Sequence, residues 1–236
     1  MQLNIKPYLD LCRVSNLPTV WTNVLAAVVL SGVDFSWPNF LFLLLSLSLF
    51  YSGGMCLNDL CDAVPDRLHK AFRPIPSGRI SVRNALLFTA FLFVLALLVL
   101  LFLPYRVSLL TGILLLILIV VYDGIHKGHP SSVILMGGCR FMVFIVSSLA
   151  VSGKVNVLVL AAGFLQLVYV LIITIVSRYE GSSGKDFSFP VIPVMLASIS
   201  LIDGLMMALF ASPFWFLAGL GGALLTHLGQ KYVRGD

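Results

Sequence analysis

Asp59, Asp62 and Asp66 stand three and four residues apart in the stretch Asn58-Asp59-Leu60-Cys61-Asp62-Ala63-Val64-Pro65-Asp66, directly after an apolar run over 51–57. A helix continuing through them brings all three carboxylates to one face at the end of a spanning segment. Three anions so placed repel, and no Lys or Arg intervenes before Arg67. A divalent cation relieves that repulsion, and an all-oxygen donor set suits Mg²⁺ better than zinc. Mg²⁺ keeps several waters and takes one or two carboxylates plus phosphate oxygens of its substrate, so the pattern implies a phosphorylated ligand. Pro65 removes a backbone donor and crowds the preceding turn, so Asp66 is expected to leave the common face. The plainer alternative is a solvated loop whose acids pair with Arg67, Lys70 and Arg73.

The continuation Arg73-Pro74-Ile75-Pro76-Ser77-Gly78-Arg79-Ile80-Ser81 reads as a stiff two-proline turn with a glycine joint. Ser81 then caps a new helix. Such a turn is expected to hold Arg73 and Arg79 near the carboxylates. Acids with a bound cation on one side and guanidinium groups on the other form a receptacle for a diphosphate, because Arg offers paired donors matched to phosphate oxygens.

The elements that position these residues are membrane helices. Of 236 residues, 59% are hydrophobic and only 11% charged, against roughly 25% charged in soluble chains, and the mean hydropathy is +1.04. That composition excludes a soluble globular domain, a disordered chain, a disulfide-stapled secreted domain and a nucleic-acid binder. Apolar segments over 17–33, 38–57, 85–104, 107–122, 131–150, 155–177, 189–210 and 213–229 give about eight helices of an all-α, multi-pass transmembrane bundle, a single domain over 1–236. With the N-terminus in the cytoplasm, thirteen of the fifteen Lys and Arg fall on or near that side, leaving only Arg106 and Lys154 opposite. This positive-inside bias explains the basic balance, predicts both termini to be cytoplasmic, and points to a bacterial inner membrane. The first helix reads as retained, without a signal-peptide cleavage site. Cys12, Cys56, Cys61 and Cys139 read as packing residues, and His126 and His129 as loop residues.

Acidic residues also gather on that side: Asp59, Asp62, Asp66, Asp123, Glu180 and Asp186 lie in three polar interruptions. Arg140 lies inside the fifth apolar segment, where an unpaired charge is costly. It is expected to face a polar interior, either at the diphosphate or paired with Asp123 or Glu180.

Asn58-Asp59-x-x-Asp62-x-x-x-Asp66, followed by Arg73-Pro74-x-Pro76-Ser77-Gly78, resembles the first aspartate-rich motif of the UbiA intramembrane prenyltransferases in spacing and order. Arg13-x-x-Asn16-Leu17-Pro18-Thr19 with Asn23 is similar to that family's opening, and Tyr122-Asp123-x-x-x-Lys127 to the pattern after its fourth helix. The resemblance implies nine helices around a central cavity opening near the cytoplasmic side, of which this chain shows eight without an obvious ninth. It also implies Mg²⁺, an isoprenyl diphosphate donor and a hydrophobic acceptor, an aromatic one foremost. By the same resemblance Asp59, Asp62 and Lys127 are catalytic, and Arg73, Lys127, Arg140, Arg178 and Lys185 hold the diphosphate. Arg13, Asn16, Asn58, Tyr122 and Asp123 touch substrate, while Asp59, Asp62, Asp66 and Glu180 serve the metal. The loop over 178–186 departs from the family pattern: it carries only Glu180 and Asp186, separated by glycines and serines. Together with Met136-Gly137-Gly138-Cys139-Arg140 it looks more like the divergent EboC-like branch.

The expected activity is Mg²⁺-dependent prenyl transfer within the membrane; Tyr51, Tyr122 and Tyr169 are candidate aromatic faces for an allylic cation, with helix packing or an interfacial belt the favoured reading of any single one. A relative that carries an isoprenoid without turning it over is the alternative. A secondary transporter fits less well, because its charges belong near the midplane and not at one edge. No nucleic acid is expected, and no protein partner is inferable from the sequence.

Overall fold

The computed structural model describes residues 5–125, 132–183 and 190–233, with side chains described except at 69, 178 and 180–183. The described chain is helical from end to end: α1 (Lys6–Leu11), α2 (Leu17–Leu30), α3 (Trp37–Cys61), α4 (Ala63–His69), α5 (Val82–Leu100), α6 (Val107–Ile125), α7 (Ser132–Ser152), α8 (Val157–Ser183), α9 (Val191–Phe210) and α10 (Phe216–Gly229). Short 3₁₀ turns precede α2 and α10, and among the described residues there is no strand.

Sequence chemistry sets the helix starts. Proline occupies the first turn of α2 and α3, where a missing N–H costs nothing. Ser81 caps α5 as expected, its hydroxyl accepting from the Asn84 amide at 3.2 Å. Each of the eight apolar segments is found as a helix. Among the described residues six helices, α3 and α5 to α9, are long and apolar enough to cross a bilayer. The other two, α2 and α10, are shorter, with 14 residues each, and each continues directly from a 3₁₀ turn that lengthens it. The protein is an integral membrane protein: wide strips of Leu, Val, Ile and Phe on α5, α6 and α8 stay exposed on the outside of the bundle, as lipid-facing surfaces must.

The short helix α2 is the hub. It packs against α3, α7, α8, α9 and α10, and its buried face carries Thr19, Thr22 and Asn23 together with Val20, Val24 and Ala27. Polar side chains buried at the centre of a membrane bundle require partners on neighbouring helices. Around this hub, α3 pairs with α5, α7 with α8, and α9 with α10.

Candidate active site

The acidic end of α3 is built by a nearly continuous helix. Asp62 joins α3 to α4, its amide bonding Asn58 O at 2.9 Å and its own carbonyl accepting from the Asp66 amide at 3.0 Å. Pro65 falls in the first turn of α4, where it lacks only the bond that would have reached back to Cys61. The break therefore stays small and Asp66 keeps its place. The expectation that Pro65 displaces it is corrected: Asp59, Asp62 and Asp66 are all buried and converge on one atom. Arg73 Nη1 lies 3.1 Å from Asp59 Oδ1 and 3.9 Å from Asp62 Oδ2, and donates to Asp66 Oδ2 at 2.6 Å. Arg13 reaches the same Asp59 oxygen from the other side, donating from Nη2 at 3.2 Å.

The turn after α4 delivers Arg73 to the acids and ties Arg79 to α1. Arg73 itself is buried, its amide bonding Lys70 O and its carbonyl accepting from the Ser77 amide. Gly78 then adopts φ +74°, a left-handed step that turns the chain back on itself. Arg79 is thereby aimed at Phe72 O (2.6 Å), Ser77 Oγ (3.1 Å) and Asp10 Oδ2 (3.2 Å). It staples the turn to α1 and bonds to none of the three acids, though it lines one recess together with Asp59.

Two recesses meet here. The first, about 190 Å³, has a polar end formed by Arg13, Asn16, Asn58, Tyr122 and Asp123, and runs into an apolar interior between α2, α3, α6, α7, α8 and α9. The second, about 240 Å³, is lined by Asp59, Arg73, Arg79, Lys6 and Asp10. Arg13 lines both. Asn58 donates from Nδ2 to Asp123 Oδ1 at 3.1 Å, tying the acidic end of α3 to that of α6. Gln230, beyond α10, donates to Asn16 Oδ1 at 3.3 Å, and the Tyr122 hydroxyl donates to Met136 Sδ at 3.5 Å.

Other expected residues fall elsewhere. Arg140 pairs with neither Asp123 nor any other described carboxylate. It donates from Nη1 to Asn23 Oδ1 at 2.7 Å and from Nη2 to Thr19 Oγ1 at 2.9 Å, with its guanidinium carbon 5.7 Å from the Tyr51 ring centre. That Tyr51 face is taken by a cation and is not open to an allylic one. Tyr169 gives its hydroxyl to Met195 O and does not line the apolar recess. Lys127, Lys185 and Asp186, with His126 and His129, lie outside the described residues, as do the side chains of Arg178 and Glu180 in α8.

Sequence reasoning missed a network deep in the bundle. Asp203 of α9, 1% exposed, accepts from Thr22 Oγ1 (2.7 Å), Asn23 Nδ2 (2.7 Å) and Gln166 Nε2 (2.8 Å). A lone acid inside an apolar run was its available signal.

Among the described residues no three His, Cys, Asp or Glu side chains form a ready-made metal cage. The donor chemistry nevertheless fits Mg²⁺, which needs only one or two carboxylates beside its waters and a substrate phosphate. Asp59 and Asp62 offer hard oxygen ligands, Asp59 on the second recess, and the acids already surround one cationic nitrogen, Arg73 Nη1.

Residues 18–230 match the UbiA prenyltransferase family. The chain belongs to that family. It is 34% identical over 116 residues to a digeranylgeranylglyceryl phosphate synthase of Sulfolobus acidocaldarius, a match covering 48% of this chain and 42% of the relative. To the protein of the same name from Methanococcus aeolicus it is 27% identical, over 94% of this chain and 81% of the relative. Among solved structures, one described as a digeranylgeranylglyceryl phosphate synthase in membranes superposes with a TM-score of 0.65 at 19% identity, covering 97% of this chain and 95% of that one. A UbiA homologue from Archaeoglobus fulgidus, bound to DMAPP and Mg²⁺, gives 0.61 at 18% identity over 95% and 96%. These likenesses establish the UbiA fold for the chain.

Proposed function

We propose that the chain transfers a prenyl group from an isoprenyl diphosphate to a hydrophobic acceptor within the membrane, with Mg²⁺ held by Asp59 and Asp62 and with Asp66 supporting them. The observation that carries this reading is the convergence of three buried aspartates on Arg73, with Asp59 and Arg73 lining a polar recess that shares Arg13 with the apolar one. Bound at these carboxylates, Mg²⁺ supplies charge neutralisation for the diphosphate as it leaves. Arg13 and Arg73 add fixed positive charge at the same end, and the apolar interior takes the isoprenoid chain. In the reaction the bond between the prenyl C1 and the diphosphate oxygen breaks, its electron pair leaving with the diphosphate. A new bond forms from C1 to the acceptor, which gives up a proton. Asn58, held by Asp123, keeps the end of α3 against α6 while this happens.

Lys127, Arg178 and Lys185 complete the diphosphate contacts in this reading, and Glu180 holds a water of a second ion. The relatives named for digeranylgeranylglyceryl phosphate support a lipid acceptor alongside the aromatic one that the sequence suggested. The bias of thirteen cations against two supports an acidic end at the cytoplasmic face of the cell membrane. The relatives are archaeal, so this membrane need not be a bacterial one.

The test is diphosphate release from labelled dimethylallyl, geranyl and geranylgeranyl diphosphates by purified protein with lipid extract, with and without Mg²⁺. Asp59→Asn or Asp62→Asn is expected to lower release at least about tenfold, whereas Asp34→Asn, in the loop before α3, changes it little. Undiminished turnover in Asp62→Asn removes the metal assignment. Absence of Mg²⁺-dependent release at every chain length favours a carrier.

A further inference from the structure

The acids of α3 are backed by a pair of thiols. Cys12 closes α1, and Cys56 lies on α3 three residues before Asp59. Their sulfurs stand 3.7 Å apart and share a hydrogen bond, although 44 residues separate them in sequence. Both are buried, Cys56 wholly and Cys12 with 6% exposure, in an apolar cluster with Leu11, Ile75, Ile80, Ala85 and Leu92. Packing accounts for one buried thiol, but two in contact have a chemistry that one lacks. Among the described residues no third His, Cys, Asp or Glu joins them to make a metal site.

A disulfide holds its sulfurs at about 2.05 Å, so bonding needs an approach of about 1.7 Å. α3 runs for 25 residues and is clamped by α2, α5 and α6, whereas α1 has six residues. The approach therefore moves α1. Arg13 follows Cys12 directly, its amide bonded to Asp10 O and its carbonyl accepting from the Asn16 amide, so it moves with α1. Its guanidinium is the group that meets Asp59 Oδ1 at 3.2 Å. From the other side, Ile75 and Ile80 pack the turn that carries Arg73 onto the same cluster. Both arginines that reach the acids thus border the thiol pair.

We infer that Cys12 and Cys56 are an oxidation site: they form a reversible disulfide, and the bond shifts Arg13 against Asp59 and lowers activity at the acids. The oxidant is a hydroperoxide. The hydrogen bond from Cys56 holds the Cys12 thiol below its usual range, against the opposing effect of burial, so Cys12 supplies the attacking thiolate. Its sulfur attacks a peroxide oxygen and becomes a sulfenic acid; with hydrogen peroxide, water leaves. Cys56 then attacks that sulfur and a second water leaves. The two thiols lose two hydrogens and two electrons, and the peroxide is reduced to two waters. A dithiol reverses the change by exchange and is itself oxidised. On the cytoplasmic side, which the cation bias supports for this end, thiols are kept reduced and such a bond is transient. The inference goes beyond the prenyl-transfer reading, and the bond is detected without it.

The experiment treats purified protein in detergent with hydrogen peroxide and then with dithiothreitol. Peptide mass spectrometry, amide hydrogen exchange and diphosphate release are read after each step. Peroxide is expected to give a peptide pair linked through Cys12 and Cys56, and to change exchange over residues 10–16 at least about twofold. It is expected to lower release at least about fivefold, and dithiothreitol to restore all three readings. Cys12→Ala is expected to keep release within about twofold of the wild type while losing both the link and the sensitivity to peroxide. Cys56→Ala is expected to lose the link as well. A folded wild type whose Cys12 and Cys56 stay unlinked overturns the inference. So does a link that leaves release unchanged, or full sensitivity to peroxide in Cys12→Ala. Absence of release from the reduced wild type at every chain length strikes the prenyl-transfer reading alone. The link and the exchange then decide the inference, and a link with unchanged exchange overturns it.

Discussion

Arg13 donates to Asp59 Oδ1 at 3.2 Å from a backbone held at φ 47°, ψ 49°, the left-handed region. Among the described residues it is the sole non-glycine with positive φ. Such a conformation costs about 1–2 kcal/mol and persists only where the surroundings fix it. Here both flanks are fixed: the Arg13 amide donates to Asp10 O at 3.2 Å, and its carbonyl accepts from the Asn16 amide at 3.0 Å. The turn lets the chain leave α1 and enter α2 while the side chain reaches back to α3.

Two substitutions separate the strain from the charge. Arg13→Gly and Arg13→Ala both remove the guanidinium, and both are expected to lower diphosphate release at least about tenfold. Glycine tolerates positive φ and alanine does not, so Arg13→Gly is expected to be the more stable of the two by about 1 kcal/mol. Thermal melts in detergent beside turnover assays check this. Equal melting temperatures count against the strain, and unequal activities count against a purely electrostatic role.

Asp203 is where a conservative change is expected to do damage. Its two oxygens accept three hydrogen bonds, from α2 and α8, inside a segment with no water to replace them. Asp203→Asn turns an amide N–H₂ toward donors on one side, at an expected cost of about 1–3 kcal/mol. Because Asn23 is shared between Asp203 and Arg140, Asp203→Asn and Asn23→Ala are expected to be non-additive by about 0.5–3 kcal/mol in a double-mutant cycle of unfolding free energies. Additive losses separate the two residues.

The acid cluster was legible because its chemistry is local. Asp59, Asp62 and Asp66 come to one place through helical spacing alone, and Arg73 follows on a turn whose prolines and glycine announce it. Arg79's bond to Asp10 was not legible in the same segment, because the direction of a chain leaving Gly78 depends on a backbone angle that the residue type permits without dictating. Thr22, Asn23, Gln166 and Asp203 were invisible as a group. They lie on three helices far apart in sequence, and nothing in any one of them says that α2 packs against both α8 and α9. The shortness of α2 and α10 was hidden for a related reason: apolar residues beyond a helix end count toward hydropathy as much as those within it.

The packing of α9 on α10 gives a last prediction, about glycines that no motif singled out. Gly204 and Gly219 face each other so closely that a Cβ on Gly204 would sit 2.7 Å from Gly219 Cα, and one on Gly219 would sit 2.7 Å from Ser200 O and from Gly204 Cα. Those neighbours are backbone and cannot swing aside as a side chain does. Small residues at such crossings let membrane helices approach for close packing and interhelical hydrogen bonds. Gly219→Ala is therefore expected to push α10 off α9 at a cost of about 1–3 kcal/mol. Gly221, two positions along the same helix, has nothing within 4 Å of its would-be Cβ. Gly221→Ala is expected to be neutral or to stabilise by up to about 1 kcal/mol through helix propensity. Because Gly204 adjoins Asp203, the displacement in Gly219→Ala also pulls on the bonds from Thr22 and Asn23, so this variant is expected to lose turnover as well as stability. Melting temperatures of the two alanine variants, read side by side with diphosphate release, decide the matter: equal behaviour in both shows that the close crossing does not hold α9 in place.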